Sequence, residues 1–142
     1  MSRVIFQLMV FHLVLVAGLV PSRAITQMTA PEALTLLKSG NARFASGNSL
    51  HPRLGFSRIS ETAEQGHKPF VTVLASSDSR VPVESLFDQG IGDIFTVRVA
   101  GNVVDTDEAG SIEYGVAHLK TPLLVILGNS QCEIVSGVAE RK

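Results

Sequence analysis

Two apolar runs that each break into a polar turn set the strongest limit on how this chain folds. Residues 70–80 read Phe-Val-Thr-Val-Leu-Ala-Ser-Ser-Asp-Ser-Arg, and residues 122–132 read Pro-Leu-Leu-Val-Ile-Leu-Gly-Asn-Ser-Gln-Cys. Short continuous apolar runs bounded by turn residues fit buried strands of a parallel sheet. Phe70–Ala75, Ile94–Val99 and Leu123–Leu127 are the predicted strands. Helical patterns fall between and around them: Glu32 to Phe44, Val81–Phe87, Asp107–Leu119 and Cys132 to Lys142. Residues 47–67 are polar and turn-rich and read as a loop, with a short helix near Ser60–Gln65. Strands alternating with helices imply an α/β fold, a parallel β-sheet with flanking helices joined by right-handed crossovers. Ligands in such sheets sit outside the carboxyl ends of the strands. Ser76–Arg80 and Asn129–Cys132 both lie at such ends, so the topology alone places a site there.

Composition narrows the class. The chain has 142 residues, enough for one domain; 45% are apolar and 18% charged, which fits a globular protein. The formal net charge is −1 and no Lys/Arg run occurs, which excludes nucleic acid as an expected partner. There is no internal repeat, no phosphate loop and no G-x-G-x-x-G.

Residues 1–24 carry the pattern of a secretory signal peptide. A basic start at Arg3 is followed by an apolar stretch from Val4 to Val20, then by small residues Ser22 and Ala24 at the −3 and −1 positions. The competing reading is an uncleaved membrane anchor, for which the run is short. Cleavage predicts a mature domain of residues 25–142, secreted across the inner membrane into the periplasm, with no membrane association afterwards. Cys132 is the sole cysteine, so no internal disulfide forms; in an oxidising compartment it is buried, metal-bound or open to an intermolecular bridge.

Four segments, in order, closely resemble the β-class carbonic anhydrases: Ser76-Ser-Asp78-Ser-Arg80, Arg98-Val-Ala-Gly101-Asn102, Ser111-Ile-Glu113-Tyr114 and Asn129-Ser-Gln-Cys132. The string from Glu32 to Phe44 is also similar to the amino-terminal helix of bacterial members. The resemblance spans about residues 30–142. It implies a β-carbonic anhydrase-like fold truncated at its C-terminus, because family members continue well beyond this point. It also implies the lyase (carbonate dehydratase) reaction, reversible zinc-dependent hydration of CO2 to bicarbonate, in a dimer or larger oligomer. The partner is then a second copy or a full-length relative.

In that family C-x-D-x-R and H-x-x-C supply Cys, His and Cys to a catalytic zinc. Asp of the first motif accepts a hydrogen bond from the zinc-bound hydroxide, and Arg holds the Asp. Carried over by position, Asp78 and Arg80 are the catalytic pair and Cys132 is the retained metal position. Ser76 and Asn129 are degenerate ones. Zinc prefers thiolate and imidazole, and two thiolates with a neutral imidazole let the bound water reach a pKa of about 7. A neutral serine hydroxyl ligates zinc poorly, and an amide oxygen suits harder cations. Full ligand sets in structural peptide sites contribute roughly 10–16 kcal/mol, and losing two of three ligands removes most of that. The expectation is zinc bound weakly or not at all, and an impaired or inactive pseudoenzyme.

Asp78 remains a possible substitute ligand. Glu133, where the family has Gly, is a weaker candidate. His51, His67 and His118 read as surface or helix-face residues, and Arg98 and Asn102 as structural. Two alternatives to a working enzyme stay open. One is a non-catalytic protein that binds bicarbonate or another small anion through Arg80, or that serves as a partner subunit. The other is a decaying product with no stable fold.

Overall fold

The computed structural model describes residues 28–139. The segment read as a signal peptide, and the last residues of the carboxyl-terminal helical pattern, lie outside them. Ten elements follow in order: α1 (Ala30–Ala45), α2 (Phe56–Gln65), β1 (Val71–Ser76), α3 (Val83–Leu86), β2 (Ile94–Val99), a 3-10 turn (Ala100–Asn102), α4 (Thr106–Glu113), a π-helical turn (Tyr114–His118), β3 (Leu124–Leu127) and α5 (Glu133–Ala139). The three strands form one parallel sheet in the order β2-β1-β3.

β1 is the middle strand and is buried at all six positions. Its alternation explains the two layers. Val71, Val73 and Ala75 share one face and join Leu37 of α1 with Val81 and Val83 in the core. Thr72 belongs to the opposite face, where its hydroxyl meets the Thr121 hydroxyl at 2.7 Å, so a polar side chain is buried there with a partner. The chain from α4 into the π-turn covers that side. A Cβ at Gly115 would lie 2.4 Å from Thr72 Oγ1, which is why glycine stands there.

The starts of α1 and α4 obey capping chemistry. Thr29 donates through its amide and its hydroxyl to the Glu32 carboxylate, each at 2.7 Å, and these bonds lower the Glu32 pKa. Before α4, the Thr106 amide donates to Asp105 Oδ1 at 2.7 Å, and the Asp105 amide donates to Glu108 at 3.1 Å.

A buried carboxylate fixes the long connection after α1. Asp88 is 1% exposed. It accepts Arg43 Nε at 2.5 Å and the amides of Leu50 and His51 at 3.0 and 2.8 Å. Burial pushes its pKa up, but the hydrogen bonds from Arg43, Leu50 and His51 outweigh burial and hold it at about 2.

Three features differ from the sequence expectations. α2 begins at Phe56 and not near Ser60, because Gly55 in an extended conformation sets the start. The helix expected over 107–119 changes to a π-turn at Tyr114, which carries Gly115 against the sheet. β3 is not buried on both faces. It is an edge strand among the described residues, so Leu124 and Ile126 are 41% and 69% exposed while Val125 and Leu127 pack on the core.

Candidate functional site

The carboxyl end of β1 and the turn after β3 lie side by side because β1 pairs with β3 directly, Ala75 with Leu127. Ser76 is fully buried as the last residue of β1. Its hydroxyl accepts the Asp78 amide at 3.1 Å, so it already serves the turn. Asp78 then faces Arg80. Arg80 Nε donates to Asp78 Oδ1 and Oδ2 at 3.0 and 3.3 Å, Nη2 donates to Oδ2 at 2.6 Å, and the Arg80 amide donates to Oδ1 at 2.9 Å. This fork holds the Asp78 carboxyl at about 2, well below the usual carboxylate range, with the Arg80 side chain as the main cause. Arg80 is raised in return, first by its bond to Asp78.

Two contacts reach across to the second turn. Arg80 Nη2 donates to the Gln131 carbonyl at 3.1 Å, and Asn129 Nδ2 donates to Asp78 Oδ2 at 3.4 Å. Behind them lies Arg98, at the end of β2. Its Nε donates to the Ser76 carbonyl at 3.0 Å and its Nη2 to the Asp78 carbonyl at 2.7 Å. Asn102, at a positive φ of 56°, donates to the Leu127 carbonyl at 2.7 Å and so ties the end of β3 to the 3-10 turn.

The resulting cleft of about 450 Å³ is lined by Ser77, Asp78, Ser79, Arg80, Cys132, Glu133 and Ile134. Asp78, Arg80 and Cys132 are therefore brought together. Ser76 lies beneath the turn and Asn129 beside Asp78. The three histidines of the described residues do not line it. His51, His67 and His118 are exposed, and His118 stacks on Tyr114 with ring centroids 4.7 Å apart.

The donor set fits a three-ligand zinc site poorly. Cys132 offers one thiol. The Ser76 hydroxyl is neutral and accepts the Asp78 amide, the Asn129 side-chain NH2 donates to Asp78, and Asp78 is engaged by Arg80. No group of three His, Cys, Asp or Glu side chains converges among the described residues. Sequence inspection singled out Asp78, Arg80, Ser76, Asn129 and Cys132, but not the Gln131 carbonyl or the hold of Arg98 on the first turn. The parallel register sets Arg98 against Ala75, and a cation at that step was the available signal for the second.

The carbonic anhydrase family profile matches residues 71–142. A carbonic anhydrase of Mycolicibacterium smegmatis is 50% identical over 99 residues, covering 70% of this chain and 48% of that protein. Carbonic anhydrase 2 of Mycobacterium tuberculosis is 45% identical over 100 residues, again 70% of this chain and 48% of that protein. A structure of tetrameric β-carbonic anhydrases from the ascomycete Sordaria macrospora aligns with a TM-score of 0.56 at 27% identity, over 77% of this chain and 55% of that one. The chain spans about half the length of the curated relatives it matches.

Proposed function

This chain belongs to the β-carbonic anhydrase family, and from that premise we propose that it keeps the family's framework while its CO2 hydration is strongly impaired for want of zinc ligands. The family reaction is zinc-dependent. The observation that carries the reading is the commitment of the two replaced positions. Ser76 accepts the Asp78 amide and Asn129 donates to Asp78, so each is bound into the protein and neither offers an anionic or imidazole donor. CO2 and bicarbonate remain the ligand class, by family. A non-catalytic anion-binding role draws less support. The Arg80 fork is already closed on Asp78, and Glu133 adds a second carboxylate to the cleft lining.

Assembly is part of the proposal. The exposed Leu124 and Ile126 on β3 suit a covered surface, and a structural relative is described as tetrameric. A homo-oligomer, or a hetero-oligomer with a longer relative, follows. The basic-apolar-small pattern of residues 1–24 supports export to the periplasm after cleavage.

The test is zinc per folded subunit together with CO2 hydration, for the wild type and for a Ser76→Cys, Asn129→His double variant. The expected result is far less than one zinc in the wild type, hydration near the uncatalysed rate, and near-stoichiometric zinc in the double variant. One zinc per wild-type subunit with clear hydration would sink the reading.

A further inference from the structure

A three-ligand metal site with ligands on both turns does more than chemistry: the ion ties the end of β1 to the turn after β3. Here the same two turns are tied by other means. Arg80 closes on Asp78 of its own turn and reaches the Gln131 carbonyl of the other, and Asn129 of the second turn reaches back to Asp78. The two links run in opposite directions and share one carboxylate. Both turns are also anchored from behind. Arg98 holds the Ser76 and Asp78 carbonyls, and Asn102 holds the Leu127 carbonyl. We infer that the Asn129–Asp78–Arg80–Gln131 bridge stands in for a metal cross-link and sets the position of Cys132 and the shape of the cleft without an ion. The inference rests on the reading that zinc is not held, and deepens it: the Asn129 amide, poor as a zinc donor, donates a long hydrogen bond of 3.4 Å to Asp78 and so adds a return link to the stronger one from Arg80.

The fork geometry matters to this role. A guanidinium presents several donors in a fixed plane and engages the carboxylate and the carbonyl together, which an ammonium does not reproduce. Arg80→Lys keeps the charge and loses the fork. Asn129→Ala removes the return link, also without a change of charge. Both leave the electrostatics of the neighbouring thiol nearly intact, so Cys132, the only cysteine and a partly buried one, reports on the opening of the second turn.

The experiment is the alkylation rate of Cys132 by iodoacetamide at fixed pH in the full chain, for wild type and both variants, with and without a chelator, after circular dichroism confirms folding. The expected acceleration is roughly 3–10-fold for Arg80→Lys and about 2-fold for Asn129→Ala, the scale of one or two hydrogen bonds lost at an exposed site. The wild-type rate is expected to ignore the chelator. Unchanged rates in both variants overturn the bridge and leave the zinc-free reading standing. A wild-type rate that rises on chelation overturns both, because an ion then holds the turns. Should Arg80→Lys fail to fold, Asn129→Ala alone decides.

Discussion

Two aspartate–arginine pairs in this molecule look alike in one respect and differ in every other. Asp88 with Arg43 and Asp78 with Arg80 are each held at about 2. The first pair joins residues 45 positions apart, its carboxylate side chain is wholly buried, and it gathers the amides of Leu50 and His51 as well. The second joins residues two positions apart at the lip of a cleft, with Arg80 55% exposed. A depressed carboxyl therefore does not by itself mark a site. Position relative to the sheet does: Asp88 closes the connection between α1 and α3, whereas Asp78 follows the carboxyl end of the central strand.

The contrast is open to attack in order of expected effect. Asp88→Asn presents an amide group where two backbone amides and a guanidinium all need an acceptor. The melting midpoint is expected to fall by about 10 °C or more, with the Cys132 alkylation rate unchanged. A shift of only a degree or two would erase the distinction between the pairs.

Acid stability comes next. Both carboxyls are lowered from 3.8 to about 2, so their stabilisation is complete above the unfolded value and is lost as pH falls from about 4 through about 2. These two groups account for an uptake of at most about 1.6 protons on unfolding in that window, and for about 0.8 in Asp88→Asn. A stability–pH slope that is the same in both proteins contradicts the assignment.

Asp78→Asn has the smallest expected effect on stability. An exposed pair is screened by water, so the midpoint falls by only about 2–4 °C, while Cys132 becomes more reactive. A loss as large as that of Asp88→Asn would mean that Asp78 carries the fold as well.

Much of this was legible in the sequence, and the reasons are local. The three apolar runs gave the strands because a parallel strand covered on both faces needs no alternation, as in β1. The turn residues after them gave the site's place. The Asp88 hub was not legible, since its partners Arg43, Leu50 and His51 come from an earlier stretch and no local pattern joins them. The exposed face of β3 escaped for a related reason: Leu-Val-Ile-Leu reads the same whether a strand is central or at an edge. The π-turn follows from Gly115 meeting Thr72, a contact between positions far apart in the chain.

The central place of β1 has a consequence for the order of events in folding. Val71 meets Ile94, 23 positions on, whereas Thr72 meets Leu124, 52 positions on. Closing the longer loop is less favourable by about 0.7 kcal/mol of chain entropy, roughly a threefold handicap in rate. The first ladder is thus predicted to gain amide protection ahead of the second in a pulse-labelling experiment, and equal rates would refute that order. The cleft needs both turns, so on that order it takes shape only with the second ladder and is lost when the edge strand peels away.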